Sequence, residues 1–115
     1  QSADRFSLLI EAGVAVIQPN AVFAGGIGAA LAAARAAQDA GCRVSPAGGW
    51  DLVNLHWMCG AMQTGAVELH RAQARILRLL TEHPPRMANG MLALGDAPGF
   101  GLSPDEDALA ACRTG

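Results

Sequence analysis

The fold is decided by residues 14–46, which read VAVIQPNAVFAGGIGAALAAARAAQDAGCRVSP. The apolar run at 14–18 is typical of a strand buried on both of its faces. After a loop over 19–25, the alanine-rich segment 28–40 predicts a helix, because alanine has the highest helix propensity. The run CRVSP at 42–46 predicts a second strand. Strand, helix and strand in this order form the unit from which parallel sheets are built.

The segments that flank this unit predict further helices and one more strand. Residues 71–80 predict an amphipathic helix. Three arginines are expected to point outward and three apolar residues inward, namely Arg71, Arg75 and Arg78 against Ile76, Leu77 and Leu80. From Pro84 onward the chain is rich in glycine, proline and turns. The predicted elements are a helix over 2–12 with Ser2 as N-cap, a helix over 51–63 capped by Asp51, a strand over 66–69, the amphipathic helix over 71–80, and a short helix beginning at Ser103.

The composition excludes several classes of function. Of the 115 residues, 51% are hydrophobic and 16% charged, which is typical of a globular domain rather than a disordered chain. The net charge of −2 gives no footprint for nucleic acid or an acidic membrane surface. The chain has no lysine and no tyrosine, so neither can act as a base within it.

The cysteines and the apolar runs suggest a cellular location. Cys42, Cys59 and Cys112 show no CxxC or CxxH spacing, so we expect free thiols in a reducing compartment, most simply as small buried hydrophobic residues. No charged-then-apolar leader and no apolar run of about 18 residues is seen, which predicts neither secretion nor a membrane span. The expected location is the cytoplasm.

Three predicted strands begin near residues 14, 43 and 66, with a helix after each. This spacing fits the βα units of a (β/α) barrel, but a closed barrel of this type usually needs about 250 residues. Three parallel strands alone would leave two raw sheet edges. The predicted fold class is therefore α/β, the C-terminal portion of a (β/α) TIM-type barrel. The remaining strands would come from missing sequence or from a separate polypeptide.

Two separated motifs carry a resemblance to a known family. The run IQPNAVFAGGIGAALAAARAAQDAGCRVSPAGG (17–49) resembles the sixth and seventh strands of the enolase superfamily, in its mandelate racemase and muconate-lactonising branch. The segment NGMLALGDAPGFGLSPDEDAL (89–109) resembles the closing segment of that branch, which returns to a capping domain. The resemblance implies that residues 1–83 are the last βα units of the barrel. Residues 84–115 would be a tail that packs on the barrel or on the capping domain.

The resemblance also implies a cofactor and a substrate class. Members of that family bind Mg²⁺ through carboxylates on strands three, four and five, and the metal stabilises the enediolate that forms when a base removes the proton α to a carboxylate. Those strands would precede Gln1, so the Mg²⁺ ligands are expected upstream and none within this chain. The implied partners are a small-molecule carboxylic acid and further copies of the protein in a homo-oligomer.

The chain departs from the family at two catalytic positions. Many racemase-like and dehydratase members pair an Asp at the end of strand six with a His base at the end of strand seven. The matching positions here are Asn20 and Ala47. Asparagine carries no charge to raise the basicity of an imidazole, and alanine has no proton to transfer. The familiar dyad is absent.

Other polar residues at the predicted strand ends remain candidates for chemistry. Glu68 and His70 are the candidate catalytic residues, and together they would supply an acid and an electrostatic partner at the barrel mouth. The alternative is a Glu at the rim, paired with Arg71 or Arg43, beside a solvated histidine. Candidates for substrate binding are Gln18, Asn20, Ala47 and Gly48.

Two functions from different classes follow. The first is part of a Mg²⁺-dependent enzyme that abstracts a proton α to a carboxylate, in the dehydration or epimerisation of a hydroxy or sugar acid. In that case the chain alone is not expected to be active. The second is a non-catalytic scaffold or interaction module that retains the barrel fold.

Overall fold

The computed structural model describes residues 2–48, 52–62 and 65–113. Its contacts divide the chain into two compact units, Gln1–His70 and Arg71–Gly115. The predicted division at residue 83 concerns membership of a larger barrel and stays a prediction. No helix in the described part of the chain is both long enough and apolar enough to cross a membrane.

The first unit contains the strand–helix–strand arrangement that the sequence predicts. Its two short strands pair in parallel, with Val16 opposite Arg43 and Ile17 opposite Val44. The elements are α1 (Ala3–Glu11), β1 (Val16–Ile17), α2 (Ala21–Ala24), α3 (Ile27–Asp39), β2 (Arg43–Val44) and α4 (Leu52–Ala61).

The core of the first unit is built on α3. The helix buries four alanines, spaced three, four and seven residues from the first, which places them on one face. Their small side chains allow the strands and neighbouring helices to approach closely. The residues of this core cluster are Phe6, Ile17, Ala21, Ala30, Ala33, Ala34, Ala37, Val44, Trp57 and Met58.

Two predictions for the first unit are wrong. The predicted loop 19–25 contains the helical turn α2, because Asn20 accepts a hydrogen bond from Val22 N and caps it. The predicted strand 66–69 is not a strand. A single backbone hydrogen bond, 3.5 Å from Glu68 N to Pro46 O, links it to the segment after β2, and one long bond does not make a ladder. The predicted cap Asp51 lies outside the described residues.

The second unit consists of two helices and a hairpin. Its elements are α5 (Arg71–Leu80), β3 (Arg86–Ala88), β4 (Met91–Ala93) and α6 (Glu106–Ala111). The strands β3 and β4 pair in antiparallel fashion around Asn89 and Gly90, whose φ angles are 51° and 75°. Two successive positive φ angles are the signature of a type I′ turn, for which Asn-Gly is a preferred pair. The hairpin was not predicted, although the dipeptide indicates it.

The two helices of the second unit differ from the prediction in detail. In α5 only Ala74 is buried; Leu77 and Leu80 are half-buried, and the expectation that Ile76 points inward is wrong, because its side chain is 55% exposed. The helix α6 begins at Glu106, three residues later than predicted. Asp105 caps it, because its Oδ1 accepts a hydrogen bond from Ala108 N. Ser103 instead accepts a hydrogen bond from Glu82 N through its carbonyl.

The three cysteines are free thiols, as predicted, but two of them are not buried. Cys59 and Cys112 are exposed, so their interpretation as core residues is wrong. Cys42 is half-buried and its Sγ donates to Val14 O at 3.2 Å. Cys59 lies in the last turn of α4, and Cys112 is the C-cap residue of the last helix of the chain.

Candidate functional site

Four of the predicted site residues lie together where the two parallel strands end. Asn20, Ala47 and Gly48 follow β1 and β2, and Glu68 lies in the segment that runs beside the end of β2. Asn20 is hydrogen-bonded to Ala47, and Glu68 to the next residue, Gly48; we call these four residues the strand-end site. Parallel strands bring the residues at their carboxyl ends to one edge, which is where (β/α) barrels place their active sites.

Asn20 is buried and both ends of its side-chain amide are used. It is 2% exposed. Its Nδ2 donates to Ala47 O at 2.7 Å, and its Oδ1 accepts from Val22 N at 2.9 Å. Because one end of the amide faces an acceptor and the other a donor, its orientation is determined by the hydrogen bonds. Asn20 therefore caps α2 and ties the end of β1 to the segment after β2.

Glu68 is exposed, yet its carboxylate is bound to the backbone. Its Oε2 accepts a hydrogen bond from Gly48 N at 2.7 Å. This length is typical of a bond to a charged acceptor, and such bonds are stronger than those between neutral groups. The observed partner of Glu68 is thus a main-chain amide. Neither of the predicted arginine partners, Arg71 or Arg43, is needed to account for its position.

Gln18 and His70 are exposed to solvent. Residues two apart in a strand face the same side, so a strand through Glu68 would place His70 on the same side as Glu68. Residues 66–69 are not a strand, so strand alternation does not relate the two side chains. The roles of Gln18 and His70 stay predictions.

Asn54 of α4 supports this region and was missed from the sequence. Its side chain is fully buried, and its Oδ1 accepts hydrogen bonds at 2.9 Å from Ala21 N and from Trp57 Nε1. Its Nδ2 is buried with no partner among the described residues. Together with Asn20 it satisfies the first two backbone N–H groups of α2. The available signal was an asparagine inside an apolar helix, since a buried amide requires partners.

The described residues do not fit a magnesium site. Within residues 2–48, 52–62 and 65–113, no group of three His, Cys, Asp or Glu side chains is arranged to hold a metal ion. The strand-end site contributes one carboxylate, Glu68, and it accepts a backbone hydrogen bond. Mg²⁺ prefers near-octahedral oxygen coordination, so one carboxylate does not make a site.

The family follows from a comparison with known families. The family described as enolase C-terminal domain-like matches residues 1–108. This chain belongs to that family. A comparison of the chain with curated proteins found no significant match.

Several solved structures share the fold of this chain. A mandelate racemase/muconate lactonizing enzyme from a marine actinobacterium, in complex with magnesium, is 22% identical with a TM-score of 0.82, and the match covers 99% of this chain and 33% of that one. L-talarate dehydratase from Polaromonas sp. JS666, complexed with Mg and L-glucarate, is 23% identical with a TM-score of 0.78, over 99% of this chain and 31% of that one. A muconate lactonizing enzyme is 24% identical with a TM-score of 0.70, over 94% and 31%.

These matches confirm the predicted fold class, an α/β chain with the architecture of the C-terminal portion of a (β/α) barrel. The chain spans about a third of the length of each of these structures.

Proposed function

We propose that this chain is the C-terminal part of a Mg²⁺-dependent enzyme of the enolase superfamily. The enzyme would remove the proton α to the carboxylate of a hydroxy acid or sugar acid. The observation that carries the proposal is the family match over residues 1–108, together with a hydrogen-bonded polar site at the strand ends. One relative of the same fold is a dehydratase complexed with Mg and L-glucarate, which supports this cofactor and this substrate class. The metal ligands would lie in the rest of the protein.

The residues of the strand-end site favour dehydration over racemisation. A racemase needs a base on each face of the substrate, and this chain has Asn20 and Ala47 where many relatives have the Asp–His pair. A dehydratase needs one base, which the rest of the protein would supply, and an acid for the leaving hydroxyl. We assign the acid to His70 and the neighbouring negative charge to Glu68. Gln18, Ala47 and Gly48 would border the substrate, and Asn20 would act through the backbone that it holds.

The second candidate function is a non-catalytic scaffold that keeps the barrel fold. One observation favours it: Asn20, at the position of a catalytic Asp in many relatives, is only 2% exposed and is occupied with backbone groups. Carboxylate ligands missing from the upstream sequence would distinguish this candidate from the enzyme.

The free thiols and the fold also support a proposal for the cellular location and the oligomeric state. We propose a cytoplasmic protein that assembles as a homo-oligomer around barrels completed by the rest of its sequence. Analytical ultracentrifugation of the complete protein would measure the oligomeric state, and a monomer would contradict this part of the proposal.

The enzyme proposal is tested by deuterium incorporation. The complete protein is incubated with Mg²⁺ in D₂O with a panel of hydroxy and sugar acids, and exchange or loss of the α-proton is followed by NMR. We expect turnover of at least one acid, which stops when EDTA removes the metal. His70→Asn should lower the dehydration rate about 100-fold or more, the usual contribution of a general acid.

His83→Asn is the matched control, since His83 is also exposed but lies in the second unit. It should leave the rate unchanged. No reaction of any acid in the panel would overturn the proposal in favour of the scaffold. Equal rates for His70→Asn and the unsubstituted enzyme would remove His70 as the acid.

A further inference from the structure

We propose that Asn20 and Glu68 are positioning residues that hold one peptide unit, the link between Ala47 and Gly48, from its two sides. We call this arrangement the peptide clamp. It assigns to Glu68 a role exerted through the backbone rather than through proton transfer. The inference deepens the proposed function, on which its activity measurement rests, but the clamp itself is measured without any substrate.

The clamp follows from two hydrogen bonds that meet on the same peptide. Asn20 Nδ2 donates to Ala47 O, and Gly48 N donates to Glu68 Oε2, both at 2.7 Å. The carbonyl of Ala47 and the N–H of Gly48 belong to one planar trans peptide, in which these two groups point in opposite directions. The peptide is therefore gripped on one side from the end of β1 and on the other from the segment containing Glu68.

The clamp explains why an amide suits position 20. The residue must donate to Ala47 O and at the same time accept from Val22 N. Asparagine offers both a donor and an acceptor, whereas an ionised aspartate offers only acceptors. Asp at this position would place a carboxylate against a carbonyl oxygen. Asn20 is thus matched to the backbone that it binds, in addition to being a departure from the family pattern.

The other half of the clamp requires only an acceptor. Gly48 N donates to Glu68 Oε2, and the Oε1 of a glutamine is an acceptor of the same reach. Glu68→Gln therefore keeps the clamp but abolishes any acid–base role of the carboxyl group. Glu68→Ala removes both. The pair of variants separates positioning from proton transfer.

The peptide held by the clamp lies in the strand-end site, where the proposed substrate would bind. Ala47 and Gly48 are half-buried and directly follow Pro46, which is buried behind the end of β2. Among the described residues, this segment is otherwise joined to its neighbours by backbone hydrogen bonds from Ser45 N to Ile17 O and from Glu68 N to Pro46 O, the second of them long at 3.5 Å. Release of the clamp should therefore loosen this segment more than the strands that precede it.

The test is hydrogen–deuterium exchange in the complete protein, read by mass spectrometry at the amide of Gly48. Glu68→Ala should speed this exchange about tenfold or more, because bonds to charged acceptors are worth more than neutral ones. Glu68→Gln should stay within about threefold of the unsubstituted protein, since a neutral acceptor gives a weaker bond of the same geometry. Asn20→Asp should also speed exchange at neutral pH. Glu11→Ala, at an exposed acid near the end of α1, is the control and should change nothing.

The activity arm uses the same variants. With an acid that the complete enzyme turns over, Glu68→Ala should lose about tenfold in kcat, and Glu68→Gln, which loses the negative charge near His70 but keeps the clamp, should lose less. Equal loss in both variants, with Gly48 exchange unaltered in Glu68→Gln, would make Glu68 a proton-transfer residue and overturn the inference. Unchanged exchange in Glu68→Ala would overturn it as well. If no acid reacts, the proposed function fails, while the exchange data still decide the clamp.

Discussion

Each unit of the chain contains helices and one pair of short strands, but the two units are stabilised differently. Of the apolar side chains that are buried in the described residues, Ala74 is the only one in the second unit. The helix α3 buries four alanines along one face, whereas α5 buries one residue. The second unit depends instead on local backbone devices, the type I′ hairpin and the capped helix α6. Burial of apolar side chains therefore stabilises the first unit, whereas local backbone hydrogen bonds at a turn and a helix cap stabilise the second.

The same substitution, isoleucine to alanine, should have very different effects in the two units. Ile17 is 1% exposed and Ile76 is 55% exposed. Ile17→Ala should lower the free energy of unfolding by about 2–5 kcal/mol, because it removes buried methyl groups and leaves a cavity. Ile76→Ala should change it by about 0.5 kcal/mol or less. Both are measured by denaturant unfolding of the complete protein. An equal loss for Ile76→Ala would show that the outer face of α5 is covered in the complete protein.

A second pair compares the helix caps. Asn20 caps α2 and also donates to Ala47 O. The side chain of Asp105 caps α6 by accepting from Ala108 N. Asn20→Ala should cost about 2–3 kcal/mol, since it removes a cap and leaves a carbonyl without its donor. Asp105→Ala should cost about 1 kcal/mol. Thermal unfolding gives the order of the two. A larger loss from Asp105→Ala would mean that the second unit depends on its cap more than the first depends on the clamp.

A third pair should give effects of opposite sign. Gly90 has a φ of 75° in the hairpin turn, so Gly90→Ala forces a β-carbon into the left-handed region and should cost about 1–2 kcal/mol. Gly28 lies in the first turn of α3, and a β-carbon built there meets no atom within 4 Å. Gly28→Ala should therefore raise the stability by about 0.5 kcal/mol, because alanine restricts the unfolded chain. Two losses of equal size would contradict the assignment of strain to Gly90 alone.

Much of the first unit was predictable because its pattern is strong. Alanine and the β-branched residues around it determined α3 and the two parallel strands, and the parallel order of the strands predicted which polar residues meet. The strand at 66–69 was predicted from composition alone, and composition does not show whether a neighbouring strand is present to complete a ladder. The orientation of Ile76 failed for a related reason, since periodicity defines a face but not what covers it.

The roles within the site were less predictable than its membership. The sequence identified Asn20, Ala47, Gly48 and Glu68 as site residues, because each lies at or just after the end of a predicted strand. The direction of the hydrogen bonds depends on which atoms of one peptide face which side chain, and no spacing rule gives this. Asn54 was missed for a simpler reason, because a single asparagine in an apolar helix has no periodic signal.

The clamp also constrains how a catalyst could be engineered from this scaffold. If histidine replaced Ala47, the position at which the resemblance implies an imidazole base, Asn20 would not serve as its charged partner, because its amide is neutral and already bound to the backbone. Position 20 would then give the new ring neither a negative charge nor a hydrogen bond that fixes its tautomer. Installing an oriented base therefore takes at least two coordinated substitutions, because a change at position 47 alone supplies an imidazole without a charged partner at position 20.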